Sequence, residues 1–279
     1  MAGSVSNASL AAGVPVLRGT DVTVEIGGIP ILLETQDADF CRLLERRYAG
    51  FVNPSATPVC RFTIHLEPPA QPSQTDAQVF SKGSIWRIER GDFRAVWDAR
   101  SRSGWVRQSP NPYSIDAVLR IVHSLMLAEE GGFLVHAASA VRRGRGYVFA
   151  GVSGAGKTTM SRLAPCDATL LTDEISYLRR SGSGYHAYGT PFAGDLARAG
   201  ANLTVPLSAL YFLAKGTDNR IEPLGRLAAV RALLRHILFF ARDPDSVKRV
   251  FESAIELVSR VPAAQFVFRP DERAWELIQ

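Results

Sequence analysis

The sequence Gly151-Val152-Ser153-Gly154-Ala155-Gly156-Lys157-Thr158-Thr159 decides the fold, because it matches the pattern G-x-x-x-x-G-K-[ST] of a phosphate-binding loop. An apolar strand, Tyr147 to Ala150, leads into it, and Met160 to Ala164 continues from it as a short helix. A strand, a loop and a helix in this order separate a functional loop from a chance match. The alternative is a glycine-rich turn with no ligand. The spacing and the flanks favour the phosphate loop.

Each residue type in this loop has a physical role in binding a nucleoside triphosphate. Glycines let the backbone curl so that successive N–H groups point at phosphate oxygens, and the N-terminus of the following helix adds positive potential. Lys157 is expected to reach the β- and γ-phosphates, and the Thr158 hydroxyl is expected to bind Mg²⁺. The sequence therefore predicts that residues 151–159 bind a nucleoside triphosphate together with Mg²⁺; the loop does not read the base, so the choice of nucleotide stays open.

Length and composition indicate an ordinary soluble globular protein of one large or two modest domains. The 279 residues are 46% hydrophobic and 21% charged, which is enough apolar material for a core. The net charge is +5, but no run of basic residues suggests a nucleic-acid track. No apolar run approaches transmembrane length, no signal-peptide core precedes Pro15, and the three cysteines are widely spaced. We therefore expect a cytoplasmic protein with neither a nucleic-acid nor a membrane partner.

Residues 1–112 are expected to form a small α/β domain of unknown role. After a loose tail that ends near Leu17, the pattern predicts a β-hairpin turning at Gly27-Gly28 and a helix from Asp37 to Tyr48. An alternating strand over Cys60 to Leu66 and three short strands follow it.

The segment Ser109 to Tyr113 is the best boundary signal in the chain, so residues 113–279 are expected to form the nucleotide-binding domain. A helix capped by Ser114 should run to about Glu130. Further on, amphipathic helices are predicted over Leu227 to Ala241 and Pro244 to Arg260.

Paired carboxylates follow the phosphate loop unusually early. A strand over Ala168 to Thr172 ends in Asp173 and Glu174. In most phosphate-loop folds the acidic residue at a strand end comes much later in the chain, so this pair is more specific than the loop alone. One carboxylate could hold the metal while the other accepts a proton from a hydroxyl. The alternative is an exposed acidic strand end without a catalytic role.

Three segments together resemble the C-terminal domain of HPr kinase/phosphorylase and, more closely, the diverged HPr-kinase-related proteins of bacteria. They are Leu134-Val135-His136-Ala137, the phosphate loop, and Leu171-Thr172-Asp173-Glu174. The resemblance covers roughly Ser114 to Arg269. It implies an α/β protein with a P-loop kinase core of the HPr kinase/PEP carboxykinase type behind a small N-terminal α/β domain. It also suggests a homo-oligomer.

The resemblance implies roles for individual residues. Asp173 would act as the base toward the acceptor hydroxyl, with His136 near the phosphates or near that aspartate. Glu174 would help Thr158 with the metal, although the family has an aspartate at that position. With Lys157, the candidate catalytic residues are therefore Asp173 and His136. A histidine in an apolar strand, taken alone, is more often a packed core residue.

The family's later glycine-rich signature is not recognisable here, which puts the phosphorylase reaction and HPr itself as a substrate in doubt. The segment Tyr188 to Asp195 lies where related proteins carry a site-lining G-x-P-like segment, but by itself it is a turn sequence. Arg198 and Lys215 are candidate phosphate or substrate contacts, and solvated surface charge is the alternative for both.

The sequence predicts an ATP-dependent kinase that transfers the γ-phosphate to a hydroxyl, with a serine of a protein or peptide as the favoured acceptor. A second reading is a small-molecule kinase or a phosphotransferase resembling PEP carboxykinase. For a carboxykinase, however, we identify no additional arginines and metal ligands around an acidic substrate. A third is a nucleotide-binding regulatory module with weak catalysis, and the retention of Asp173 and Glu174 beside an intact loop argues against it.

Overall fold

The computed structural model describes residues 20–68 and 76–278, so the loose tail expected before Leu17 lies outside the described residues. This part of the chain is mixed α/β, with two multi-stranded sheets and a few helices. None of its helices has the length and apolar character needed to cross a membrane.

The strands are β1 (Thr20–Ile26), β2 (Ile29–Thr35), β3 (Cys60–Leu66), β4 (Gln78–Lys82), β5 (Ile85–Arg90), β6 (Phe93–Asp98), β7 (Ser103–Gln108), β8 (Gly132–Arg142), β9 (Arg145–Ala150), β10 (Ala168–Thr172), β11 (Ile175–Ser181), β12 (Gly184–Tyr188), β13 (Thr204–Lys215), β14 (Arg220–Pro223), β15 (Ile237–Leu238) and β16 (Ala263–Phe268). The helices are α1 (Ala38–Arg47), α2 (Pro112–Glu130), α3 (Lys157–Arg162), α4 (Arg226–Leu234), α5 (Pro244–Arg260) and a terminal 3-10 helix, Glu272–Leu277.

The first sheet has seven strands in the order β1-β2-β3-β7-β6-β5-β4. The predicted hairpin is confirmed, since β1 and β2 pair antiparallel across the Gly27-Gly28 turn. The predicted helix is also confirmed as α1, whose first turn is capped by the Asp37 carboxylate accepting from the N–H of Phe40. Strand β3 alternates buried and exposed residues as its sequence indicates.

The second sheet has nine strands and carries the phosphate loop. Its main path is β10-β8-β11-β12-β13-β16-β14, with β9 between β8 and β13 and with β15 on β8. Strands β9, β13 and β16 run parallel, so their carboxyl ends meet at one edge of the sheet. The loop leaves β9 at that edge, where ligands bind in open α/β sheets.

Helix α2 lies between the two sheets and is buried along most of its length. One hydrophobic cluster includes residues of the first sheet, the apolar stripe of α2, and Tyr177 on β11. The predicted cap at Ser114 is wrong, because the Asn111 side chain accepts from the N–H groups of Tyr113 and Ser114. The Ser114 hydroxyl instead donates to Asp92, which ties the helix to the first sheet.

The predicted helix from Leu227 to Ala241 is wrong beyond Leu234, where α4 ends. The segment that follows is extended and completes the hydrogen bonding of β8. The N–H of His136 donates to the carbonyl of His236 at 2.7 Å, and Ile237 and Leu238 pair with β8 as β15. Backbone groups on a buried strand edge need partners, and this need overrides the helical pattern.

His123, in the middle of α2, makes stability depend on pH. Its ring is fully buried, and neither nitrogen has a hydrogen-bond partner within the described part of the chain. Burial lowers the pKa of His123 to about 3, whereas in the unfolded chain it is roughly 6.5. Below about pH 6.5 the unfolded chain therefore binds a proton that the folded chain excludes. The free energy of unfolding consequently decreases as the pH is lowered.

We expect His123→Leu to remove about 2 kcal/mol of the loss in unfolding free energy between about pH 7.5 and about pH 5. The variant should be at least as stable as the wild type near pH 7.5, since no hydrogen bond of the ring is lost. Urea unfolding at both pH values measures this. His136 and His236 also have lowered pKa values and leave a residual slope. An unchanged acid slope in the variant would contradict the prediction.

Candidate nucleotide-binding and phosphotransfer site

The predicted phosphate loop connects β9 to α3 at the edge of the second sheet. Gly156, immediately before the helix, has φ +111°, a backbone conformation that side-chain-bearing residues rarely adopt. A Cβ at this position would also lie 2.4 Å from Cζ of Phe268 at the end of β16. A glycine is therefore required at 156, where the loop turns into the helix against the neighbouring parallel strand.

Lys157 begins α3, and its side chain folds back over the loop. Its Nζ donates to the carbonyl oxygen of Gly151 at 2.8 Å and to that of Val152 at 3.4 Å. The residue is only 8% exposed, and this burial lowers the pKa of Lys157. The negative charges of Glu174 and Asp195 act in the opposite direction and raise that pKa. The ammonium group is thus enclosed by the loop and lies within the electrostatic reach of two carboxylates.

Thr158, the predicted metal-binding hydroxyl, has a carboxylate partner that the sequence did not single out. Its Oγ1 donates to Oδ2 of Asp195 at 3.0 Å. Asp195 closes the segment Tyr188 to Asp195, which the family resemblance placed along the site but whose own sequence indicates only a turn. The tertiary fold brings this aspartate to the start of α3, so a carboxylate oxygen lies beside the Thr158 hydroxyl.

Asp173 leaves the end of β10 and is held by backbone groups. Its two carboxylate oxygens accept from the N–H of Gly194 at 3.0 Å and from the N–H of Leu196 at 2.8 Å. The residue is 5% exposed, and the segment Gly194 to Leu196 covers it. A Cβ on Gly194 would lie 2.7 Å from Oε2 of Glu174, so this segment approaches both carboxylates of the pair.

Glu174 is the more accessible carboxylate, with 34% of its side chain exposed. Its Oε1 lies 3.8 Å from Nε2 of His136 on β8, so the predicted histidine is beside the second carboxylate of the pair. Burial lowers the pKa of His136, of Lys157 on α3 and of Arg120 on α2, and the charge of Glu174 opposes that lowering at each of them. The charge of Glu174 therefore acts on basic side chains from β8, α3 and α2.

His136 is expected to be neutral near pH 7. Burial lowers its pKa most, and the positive charges of Lys157 and Arg120 lower it further, against the opposing effect of Glu174. A neutral imidazole has one nitrogen free to accept a hydrogen bond or a proton. It can therefore take part in proton transfer without adding positive charge to the site.

The candidate contacts Arg198 and Lys215 lie in different places. Arg198 lines a narrow cleft that also contains Asp173 and Leu196. Lys215 is exposed at the end of β13. Arg198 thus shares a cleft with Asp173, whereas Lys215 does not.

The oxygen ligands of this site suit Mg²⁺. Within residues 20–68 and 76–278, no group of three or more His, Cys, Asp or Glu side chains is arranged to hold a metal ion. Mg²⁺ does not need such a cage, because it keeps several waters and is usually bound by one or two carboxylates together with substrate phosphates. The hydrogen-bonded Thr158 hydroxyl and Asp195 carboxylate fit this mode of binding.

Residues 111–279 match the family described as SynChlorMet cassette protein ScmC, and this segment is more than half of the chain. The chain belongs to that family. No curated protein matches the chain. The ScmC-family segment begins next to α2 and contains every predicted site residue, whereas the seven-stranded sheet precedes it.

Two residues of this ScmC-family segment were missed from the sequence, and each had a weak signal. Asp195 directly follows a glycine in the segment expected to line the site. Arg120 is the one lysine, arginine, aspartate or glutamate in α2 between Asp116 and Glu129, among residues that are almost all buried. A single arginine in so apolar a stretch of helix calls for a partner.

Proposed function

We propose that the chain is an ATP-dependent kinase that transfers the γ-phosphate to a hydroxyl group, with a serine of a protein or peptide as the acceptor. The observation that carries this proposal is the convergence of the phosphate loop with the carboxylate pair. Residues 194–196 connect the two, because the N–H groups of Gly194 and Leu196 donate to Asp173 and the carboxylate between them, Asp195, accepts from the Thr158 hydroxyl. A phosphate-binding loop with carboxylates at its metal-binding hydroxyl is the arrangement that phosphoryl transfer needs.

The proposal includes the finer assignment of the fold. We take residues 113–279 as a P-loop kinase core of the HPr kinase/PEP carboxykinase type, on the basis of the resemblance at His136, the loop and Asp173-Glu174. The parallel order of β9, β13 and β16 and the early carboxylate pair are compatible with it. Residues 1–112 are then an accessory domain, of which the described first sheet packs on α2.

In this mechanism the loop amides and Lys157 bind the phosphates and orient the γ-phosphate toward the acceptor. Bound Mg²⁺, held by Thr158 and by Asp195 or Glu174, would supply positive charge to the β- and γ-phosphates. Asp173 accepts the proton of the acceptor hydroxyl as the new O–P bond forms, and ADP leaves. The two N–H bonds to Asp173 fix its orientation and leave lone pairs on both oxygens for that proton.

Turnover of ATP with and without acceptors separates the alternatives. We expect ADP release to be slow with the protein alone and to rise severalfold with a pool of serine-containing peptides. Stimulation by small hydroxylated metabolites, with none by peptides, would favour a small-molecule kinase. Tight ATP binding without turnover under any condition would favour a regulatory module and would overturn the kinase proposal.

A further inference from the structure

Arg120 is a half-buried cation without a counter-ion. Its Nε is buried and has no hydrogen-bond partner, and no carboxylate of the described residues lies within ion-pair distance of its guanidinium. The Cζ atom lies 4.9 Å from the ring centre of Phe192, so the group rests on an aromatic face. A buried donor that has lost water without gaining a partner is costly, and such groups in folded proteins call for an explanation.

The carboxylate one helical turn away, Asp116, makes no ion pair with Arg120, and both of its oxygens accept from other donors. Oδ2 of Asp116 accepts from Nε and Nη2 of Arg47, and Oδ1 accepts from the Tyr48 hydroxyl at 2.7 Å. Nε of Arg120 is thus without a hydrogen-bond partner among the described residues. The charge of Asp116 still raises its pKa, against the larger effect of burial.

The other carboxylate that acts on Arg120 is Glu174, which belongs to the candidate site. Glu174 also acts on Lys157, so two cations from α2 and α3 lie within reach of one carboxylate. Phe192, beneath the guanidinium, comes two residues before Gly194 in the segment that covers Asp173. Arg120 therefore packs against the segment that covers Asp173.

We propose that Arg120 binds the terminal phosphate of the nucleoside triphosphate. This inference rests on the proposed kinase function and assigns it a residue from outside the phosphate loop. The planar guanidinium offers paired N–H donors that match two oxygens of a phosphate. Lys157 holds the phosphates from the loop side, and Arg120 holds the γ-phosphate from the α2 side, where the acceptor must approach. The unpaired state of Arg120 keeps its donors available for the ligand.

Isothermal titration with ADP and with a β,γ-imido analogue of ATP tests this assignment, in the presence of Mg²⁺. Arg120→Met keeps the packing on Phe192 and removes the charge. We expect the variant to bind ADP within about twofold of the wild type and to lose roughly tenfold to a hundredfold in affinity for the triphosphate analogue. Arg120→Lys should recover part of the loss, since it restores the charge without the fork.

A thermal midpoint measured without nucleotide separates ligand binding from a structural role. Arg120→Met should melt at or above the wild-type midpoint, because it removes an unpaired half-buried charge. The matched control is Arg47→Met, which breaks the pair with Asp116. It should melt several degrees lower and keep the triphosphate preference.

Equal affinities of Arg120→Met and wild type for the triphosphate analogue would overturn the assignment. A lowered midpoint with unchanged nucleotide preference would overturn it as well and would indicate a structural role. If the wild type binds neither nucleotide, the proposed function itself fails. If the wild type binds both nucleotides and the Arg120 variants bind them with the same affinities, the kinase proposal stands and the role of Arg120 does not.

Discussion

Lys157→Ala should reduce the affinity for ATP with Mg²⁺ by roughly a hundredfold or more. The variant loses a buried ammonium that the loop holds over the phosphate position, and hydrogen bonds to charged groups are the strong ones. The effect should exceed that of any exposed lysine, because water screens exposed charges. Equilibrium titration with a fluorescent ATP analogue measures the loss.

Lys215→Ala is the matched control for this experiment. Lys215 is exposed at the end of β13, and the sequence offered it as a candidate phosphate contact. We expect its affinity for ATP to stay within about twofold of the wild type. Near-normal ATP binding by Lys157→Ala would show that residues 151–159 are a structural turn and would remove the basis for a kinase.

Asp173→Asn should bind ATP nearly as well as the wild type and transfer phosphate roughly 10²- to 10⁴-fold more slowly. An amide cannot accept the proton of the acceptor hydroxyl. The side-chain amide also cannot accept both the N–H of Gly194 and the N–H of Leu196, as the carboxylate does. Nucleotide affinity is therefore measured with the transfer rate, so that a shift of the covering segment is detected separately.

Glu174→Gln distinguishes the two carboxylates. If Glu174 serves the metal, the variant should need a higher Mg²⁺ concentration and should recover transfer when Mg²⁺ is raised. Asp173→Asn should not recover in this way. The opposite pattern, with transfer retained in Asp173→Asn and lost in Glu174→Gln at every Mg²⁺ concentration, would make Glu174 the base. The greater exposure of Glu174 and its place beside His136 give that outcome a structural basis.

The sequence predicted the parts of the fold whose causes are local. The hairpin at Gly27-Gly28, the helix predicted from Asp37 and the helix opened by Asp243-Pro244 each depend on residues close in the chain. The hairpin of β11 and β12 was not predicted. Its arginines and glycines obscure the alternation, and its strands are fixed by pairing with β8 and β13. The early end of α4 also depends on distant residues, because the residues that follow it form hydrogen bonds with β8.

The residues of the candidate site also fall into those that a local sequence pattern identifies and those that depend on distant contacts. The loop and the Asp173-Glu174 pair are recognisable because their residue types and spacing lie within short segments. Asp195 and Arg120 are not, because each acquires its role from distant residues: Asp195 from Thr158, and Arg120 from the occupied carboxylate of Asp116. A sequence pattern records which side chains exist, whereas whether a charge is paired depends on the whole fold.

The most direct test of the kinase proposal is incubation with γ-labelled ATP, Mg²⁺ and a lysate or a serine-containing peptide pool. Wild type is compared with Asp173→Asn, and the labelled residue is identified by mass spectrometry. We predict label on a serine hydroxyl with the wild type and almost none with the variant. Tight ATP binding by the wild type without transfer of label to any protein or peptide would contradict the proposal.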